Sequence, residues 1–328
     1  MQVRYPITDR IMSKKYFFAF DTSNYTTSFA VCDGSGKIVL NFKKLLEVKE
    51  GERGLRQSDA VFLHVKNSEL ITREISSFVS SHPDFVLEAV GVSVRPRDVQ
   101  DSYMPCFLVG KSLASTAAAS LAVPVYEFSH QSGHVAAALY GAGATSLIGK
   151  DFVAFHVSGG TTEVLLVSGY EKGAFKIERI GGTLDLNAGQ VIDRVGVMLG
   201  IPFPCGAHLE KLALGYAGKS PKYPNAVNFL NCNLSGIENK AKALFESEKN
   251  INLTAAFTIS AVSDVIAKLT ENVLTRYPGI PIVYSGGVMS CSVIRKRLED
   301  KDRYFAPPEF SSDNAAGIAY LTMLENTK

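Results

Sequence analysis

The sequence predicts an α/β fold built twice over, and three observations carry that prediction. Two separated segments each open with strands joined by tight polar turns, DTSNYTT (21–27) in the first half and SGGTT (158–162) in the second. In both halves antiparallel hairpins are mixed with helical patterns, unlike an uninterrupted βαβ chain. A third glycine turn, SGGV (285–288), again follows an apolar strand. Internal repetition of this kind decides the architecture before any single element does.

YFFAFDTS (16–23) reads as a buried strand ending in a polar turn, and TSFAVCD (27–33) and KIVLNF (37–42) follow, with Asp33-Gly34 as a hairpin signal. Residues 58–81 place Val61, Phe62, Val65, Leu70 and Ile71 at helical spacing. EAVGVSV (88–94) is a further strand, 107–121 a helix rich in small residues, and VPVYEF (123–128) a short strand. The pattern then restarts with DFVAFHVSGGTTEVLLVSG (151–169) as strand, glycine turn and strand, and AFKIERIGG (174–182) as a third strand. Helices are expected over about 187–200 and 206–217, an irregular Pro- and Asn-containing stretch over 218–237, and a long helix over about 254–277. PIVYSGG (281–287) is a strand entering a glycine turn, 289–299 a helix, and the last helix starts near 312.

Two such halves predict two lobes: 13–129 with 312–328 as the first, and 130–311, with a helical insertion, as the second. Residues 1–12 form an extension with no assigned role, Met12 offering a second plausible start. Facing lobes would enclose a cleft lined by Gly, Ser and Thr turns, whose backbone N–H groups suit phosphate. Actin-like ATPases and sugar kinases are built this way.

The bulk numbers fit such a chain. Of 328 residues, 46% are hydrophobic and 20% charged, which is ordinary globular composition and not that of a disordered chain. A formal net charge of +2 gives no overall basic field, so a nucleic-acid partner would be held by a local patch or through another protein. The five cysteines, Cys32, Cys106, Cys205, Cys232 and Cys291, are too dispersed for a metal knuckle and are expected to be reduced and mostly buried. No membrane span and no signal peptide is predicted, and a cytoplasmic location is the expectation.

His130 and His134, in SHQSGHVAAAL, stand at i and i+4, which puts both imidazoles on one helix face about 5–6 Å apart at Cβ. One metal ion can bridge them at roughly 2.0–2.1 Å per nitrogen. Ser129 is placed to cap this helix. A zinc peptidase of the H-E-x-x-H kind is disfavoured, because Gln131 stands where the catalytic Glu belongs and an amide is no general base. Asp313, in SSDNAAGIAY, is the candidate third ligand; it is also a good N-cap for the last helix, unless Ser312 caps instead. Two His and one carboxylate with open positions suit Fe2+ or Zn2+.

These segments, in this order, resemble the universal family of tRNA threonylcarbamoyladenosine transferases from about residue 16 onward. FDTSNYTTSFAV is similar to its first strand and turn, and SDAVFLHVKN to a segment carrying a His, here His64. SHQSGH resembles its metal pair and VSGGTTEVLL its SGGHTQL segment. TLDLNAGQVIDRVGVMLGIPFPCG resembles its D…AGExxD…PGG stretch, NLSGIENKAK its FSGLK element and YSGGVMSCSVIR its GGVxxN segment. FAPPEFSSDNAAGIAY resembles its PPxxxCTDNxAMIAY ending. The departures are as definite: Arg95-Pro96-Arg97 for its GPG loop, Thr161 for its SGGHT histidine, Gln190 for a Glu, Cys205 for the first Gly of PGG, and Cys291 for an Asn.

The resemblance implies a metal at His130, His134 and Asp313. It implies an adenine nucleotide or threonylcarbamoyl-AMP near Thr22, Ser23, Ser158, Gly159, Gly160, Thr161, Thr162, Asp185, Gln190, Asp193, Gly286, Gly287 and Cys291. It implies transfer of threonylcarbamoyl to the adenine beside a tRNA anticodon, with a paralogous subunit and a small ATPase as partners. The departures keep two alternatives open: a carbamoyl-type transferase with another acceptor, and a non-catalytic subunit of the tRNA-modification complex. Arg95 and Arg97 narrow and charge a loop that is open in the family. At least one is expected to meet an anionic ligand group, the alternative being a surface acid such as Asp98.

Overall fold

The computed structural model describes residues 14–23, 25–47, 55–224 and 226–328. The extension assigned to 1–12 lies outside the described residues. The chain divides into two compact units, one running up to Gly133 and resuming at Asp313–Lys328, the other spanning His134–Ser312.

In the first unit β1 (Lys14–Ser23), β2 (Thr26–Asp33) and β3 (Ile38–Leu45) form an antiparallel meander. α1 (Gln57–Ser81) leads to β4 (Phe85–Arg95), which pairs parallel to β1; α2 (Phe107–Leu121) leads to β5 (Val125–Ser129), parallel to β4. The sheet order is β3-β2-β1-β4-β5. β1 is central and buried from Tyr16 onward, so both of its faces are apolar: a parallel neighbour brings helices to both sides of a sheet. Phe18, Phe20 and Phe29 of the sheet pack with Ile71 and Phe78 of α1 in one core, each full burial worth about 1.5–3 kcal/mol.

α3 (His130–Gly141) follows β5 without a linker and carries the chain into the second unit. There β6 (Phe152–Val157), β7 (Thr162–Glu171) and β8 (Ala174–Thr183) repeat the meander. α4 (Ala188–Met198), α5 (Gly206–Leu214), β9 (Val227–Asn228), β10 (Asn231–Cys232), α6 (Ser235–Glu248) and α7 (Ile251–Arg276) come next. β11 (Ile282–Ser285) pairs parallel to β6, and after a 3-10 turn (Gly287–Ser290) and α8 (Ser292–Leu298), β12 (Arg303–Phe305) pairs parallel to β11. The order β12-β11-β6-β7-β8 repeats that of the first sheet, with the β10-β9 ribbon added beyond β8. α9 (Pro308–Ser311) and α10 (Ala316–Asn326) close the chain, α10 packing on β1, β2 and β4 of the first unit. The duplication predicted from the turns is therefore present in strand order and strand direction alike. α7 is long and apolar enough to cross a membrane, yet most of it is buried in the core of its own unit.

Three sequence expectations change. The irregular stretch 218–237 contains β9, β10 and the start of α6. The helix expected over 289–299 is a 3-10 turn followed by a shorter α8. The last helix begins at Ala316, four residues later than expected, so Asp313 is not its N-cap; Asn314 Oδ1 accepts the Ala316 N–H at 2.9 Å instead.

Candidate functional site

Two carboxylates, Asp21 and Asp313, flank the first turn of α3. Ser129 ends β5, and its Oγ accepts the N–H of Ser132 at 3.0 Å, satisfying one of the first-turn donors that every helix leaves unpaired. His130 then stands in the first turn. Its Nδ1 lies 3.0 Å from Oδ1 of Asp21 on β1, which leaves Nε2 directed at Asp313 Oδ1, 3.6 Å away. Asp21 is fully buried; Ser93 Oγ also donates to its Oδ1, and its Oδ2 has no hydrogen-bond partner among the described residues. A buried carboxylate so poorly neutralised demands positive charge beside it. Asp313 Oδ2 lies 3.4 Å from Ser23 Oγ and 3.5 Å from Thr26 Oγ1, both on the β1–β2 hairpin.

His134 follows His130 by one turn of the same continuous helix. One ligand atom from each of His130, His134 and Asp313 falls within 4.8 Å of the others. Gly133, between the two histidines, packs closely on α10: a Cβ there would stand 2.7 Å from Ile318 Cδ1. Burial alone would push the His130 imidazole pKa down; the charge of Asp21, followed by that of Asp313, outweighs it and brings it up to about 10. His130 thus stands between two carboxylates that both favour its positively charged form.

The turns behave differently from one another. Thr22 Oγ1 donates to Cys106 O at 2.9 Å and accepts the Gly110 N–H at 3.0 Å, tying β1 to the start of α2. Ser158 Oγ accepts the N–H groups of Gly160 and Thr161 at 3.2 and 3.1 Å. The same turn grips α4, Thr162 Oγ1 accepting from Ala188 N and Ser158 O from Gly189 N. Gln190 Oε1 accepts the Asn187 N–H at 3.0 Å in a capping box, so it serves its own helix. Asp193 Oδ1 accepts the Cys205 N–H at 2.9 Å. Cys291 precedes α8 with a buried thiol, pushed up in pKa by that burial, while Glu210 caps α8 through the N–H and hydroxyl of Ser292. Around Gly159, Gly160 and Gly287 a Cβ would meet nothing within 4 Å, and these positions are open. His64 is fully buried, its Nδ1 2.8 Å from Thr27 Oγ1, and it braces the hairpin that carries Ser23 and Thr26.

Asp185 takes the N–H groups of Leu234 and Ser235 and the Ser235 hydroxyl at 2.7, 3.1 and 2.6 Å, capping α6 from 50 residues away. Burial raises its pKa, but these donors outweigh burial and hold the carboxyl well below the usual carboxylate range. A depressed acid contributes stability that is whole above its unfolded value of about 3.9 and is lost as pH falls through the lower folded value. Thermal unfolding followed from pH 7 into acid is expected to show that loss in the natural protein and a flatter profile in Asp185→Asn; identical profiles would remove Asp185 from the account.

Two site residues were not singled out from sequence. Asp21 had a signal available, an acid inside an otherwise apolar strand. His156 on β6 packs edge-on to His134, ring centroids 5.6 Å apart, and bonds Ser285 Oγ at 3.2 Å, with no sequence pattern to announce it. Of the two alternatives for the loop, Arg95 takes the second, the pairing with Asp98. Its Nη2 and Nε lie 2.6 and 3.0 Å from Asp98 Oδ1, so its fork is taken by an acid three residues on and does not present itself to an anionic ligand. Arg97 is exposed.

The twice-repeated strand order defines an actin-like α/β protein, and the α3 histidines with Asp313 give it a candidate metal centre. The chain belongs to the TsaD family, tRNA N6-adenosine threonylcarbamoyltransferase, whose model matches residues 103–320. A relative of that name from Streptococcus pneumoniae (strain Taiwan19F-14) is 29% identical over 335 residues, covering 97% of this chain and 94% of that protein. One from Lacticaseibacillus casei (strain BL23) is 27% identical over 338 residues, covering 96% and 94%. Among solved structures, T. kodakarensis HypF superposes with a TM-score of 0.58 at 13% identity, over 96% of this chain and 48% of that one. Full-length HypF in its phosphate- and nucleotide-bound form gives 0.55 at 13%, over 94% and 55%. This chain therefore spans about half of either HypF chain, and at such identity the likeness is one of fold. The family is one of transferases, and the peptidase reading of the histidine pair ends there.

Proposed function

We propose that this chain transfers a threonylcarbamoyl group from threonylcarbamoyl-AMP to the exocyclic amine of the adenine beside a tRNA anticodon, with a divalent cation held by His130, His134 and Asp313. The observation that supports it best is the Asp21–His130–Asp313 line. Metal-ligating histidines habitually give their second nitrogen to a carboxylate, which fixes the tautomer and raises ligand basicity. The 3.6 Å between His130 Nε2 and Asp313 Oδ1 also suits two donors about 2.1 Å from one ion. Fe2+ and Zn2+ both fit two nitrogens and one oxygen with open positions. Such an ion, when bound, supplies Lewis acidity and a template for the acyl group.

The chain's own residues do the rest. Ser23 and Thr26 hold Asp313 through its far oxygen, so that Oδ1 is presented toward His130. Gly159, Gly160 and Gly287 leave backbone open for the nucleotide phosphate. The amine nitrogen attacks the carbamoyl carbon, the bond from that carbon to the phosphate oxygen breaks, AMP departs with the electron pair, and the amine's proton passes to water or to the AMP phosphate. The amine is a weak nucleophile, so positioning is expected to supply much of the rate. The target base would be splayed from a single-stranded loop, and a paralogous subunit and a small ATPase are the partners proposed from the family.

A second reading, the same chemistry on another acceptor, is favoured by one feature: the family's open glycine loop is here Arg95-Pro96-Arg97, fastened by Asp98. Complementation separates the two. In cells depleted of their own transferase, the natural chain supplied with its family partners is expected to restore the modified adenosine, and His134→Ala is not. Failure of the natural chain, with metal bound and partners present, would overturn the tRNA reading and leave the second.

A further inference from the structure

We propose that Asp98 is a positioning residue for His130, fastening the first turn of α3 so that the histidine stands where Asp21 and Asp313 can both reach it. This inference rests on the metal reading above. Asp98 lies in the loop after β4, and its carboxylate is saturated. Oδ2 accepts from Ser129 Oγ at 2.5 Å and Ser132 Oγ at 2.8 Å, and Oδ1 receives the Arg95 fork. Both serines are fully buried, so their hydroxyls need an acceptor that solvent cannot replace. The same loop adds Pro96 O, which accepts the Gln131 N–H at 3.0 Å. Residues on either side of His130 are thus tied to one loop, through side chains at 129 and 132 and backbone at 131.

The charge is placed sensibly as well. A carboxylate at a helix N-terminus faces the positive end of the helix dipole. Arg95 neutralises the Asp98 carboxylate directly, its Nη2 2.6 Å from Oδ1. His130 is then fixed twice, its ring by Asp21 and its backbone by Asp98. Loops that carry glycines at this point cannot supply the carboxylate's partner, so Arg95 and Asp98 act as one device: the arginine that seemed aimed at ligand is the counter-ion of a helix anchor.

Co2+ binding to the whole protein, prepared metal-free, tests this without any assay of transfer, because its visible spectrum reports ligand geometry. Outer residues that orient metal ligands commonly change affinity 10–100-fold when removed. Asp98→Ala is expected to raise the Co2+ dissociation constant about tenfold and to alter the visible bands, with Asp98→Asn between it and the natural protein. Ser132→Ala, a substitution a helix tolerates well, tests the same link should Asp98→Ala fold poorly. Tyr284→Phe serves as control: it removes a buried hydrogen bond to Thr270 in the other unit and is expected to lower the unfolding temperature while leaving Co2+ affinity unchanged. Natural affinity and spectrum in both Asp98→Ala and Ser132→Ala, or a lowered unfolding temperature alone, overturns the inference and leaves the metal reading standing. Absence of Co2+ binding by the natural protein overturns both.

Discussion

His134→Ala protein is expected to carry under about a tenth of an equivalent of divalent metal after anaerobic purification, against about one equivalent in the natural chain, as befits a three-ligand site reduced to two. His134 is the informative ligand to remove. Replacing His130 would also strand Asp21, whose Oδ2 lacks a partner among the described residues and whose Oδ1 would keep only Ser93 among them, so a fall in metal there could reflect a damaged fold. Removing His134 leaves the His130 contact to Asp21 in place, and Ala is the best helix former for the position it vacates. The edge-on contact with His156 is lost, which costs some packing. Elemental analysis paired with thermal unfolding decides the matter. Equal metal in both proteins would end the proposal for this centre, and so would metal loss that tracks unfolding.

Much of the fold was legible because its signals are local and redundant. β1 is eight buried residues in a row after two lysines, α1 repeats apolar positions at helical spacing, and the polar turns recur at matching places in the two halves. α6 was not legible. It emerges from an Asn-rich stretch, buries few residues, Ile237 and Ala241 among them, and has its first turn satisfied by Asp185 from far along the chain. That is tertiary context overriding a weak local signal. The histidine pair could be read because the i, i+4 rule needs only helix geometry. Asp21 and Asp98 could not be placed so easily, since each works through residues brought near by sheet order. Gln190 has a local duty that was also readable: Asn187-x-x-Gln190 is itself a capping-box pattern.

Gly286 and Gly287 were grouped as one ligand-facing turn, and the structure separates them by physical cause. Gly286 has φ +100°, which L side chains rarely adopt, and a Cβ there would stand 2.2 Å from Val157 O and 2.6 Å from Val157 C on β6. The obstacle is backbone of the central strand, so it cannot be relieved by a rotamer change. Gly286→Ala is therefore expected to lower the unfolding free energy by about 3 kcal/mol or more, the sum of left-handed strain and a forced shift of packed strands. At Gly287 a Cβ meets nothing, and its φ is ordinary. Gly287→Ala is expected to change stability by less than about 1 kcal/mol, while weakening AMP if the nucleotide approaches that backbone. Denaturant unfolding of the two variants, with calorimetric titration of AMP into Gly287→Ala, reads both effects. Unchanged AMP affinity in a stable Gly287→Ala would remove this turn from the nucleotide site. Equal stability of the two variants would mean that Gly286 is not held against β6, and that its glycine answers to a ligand after all.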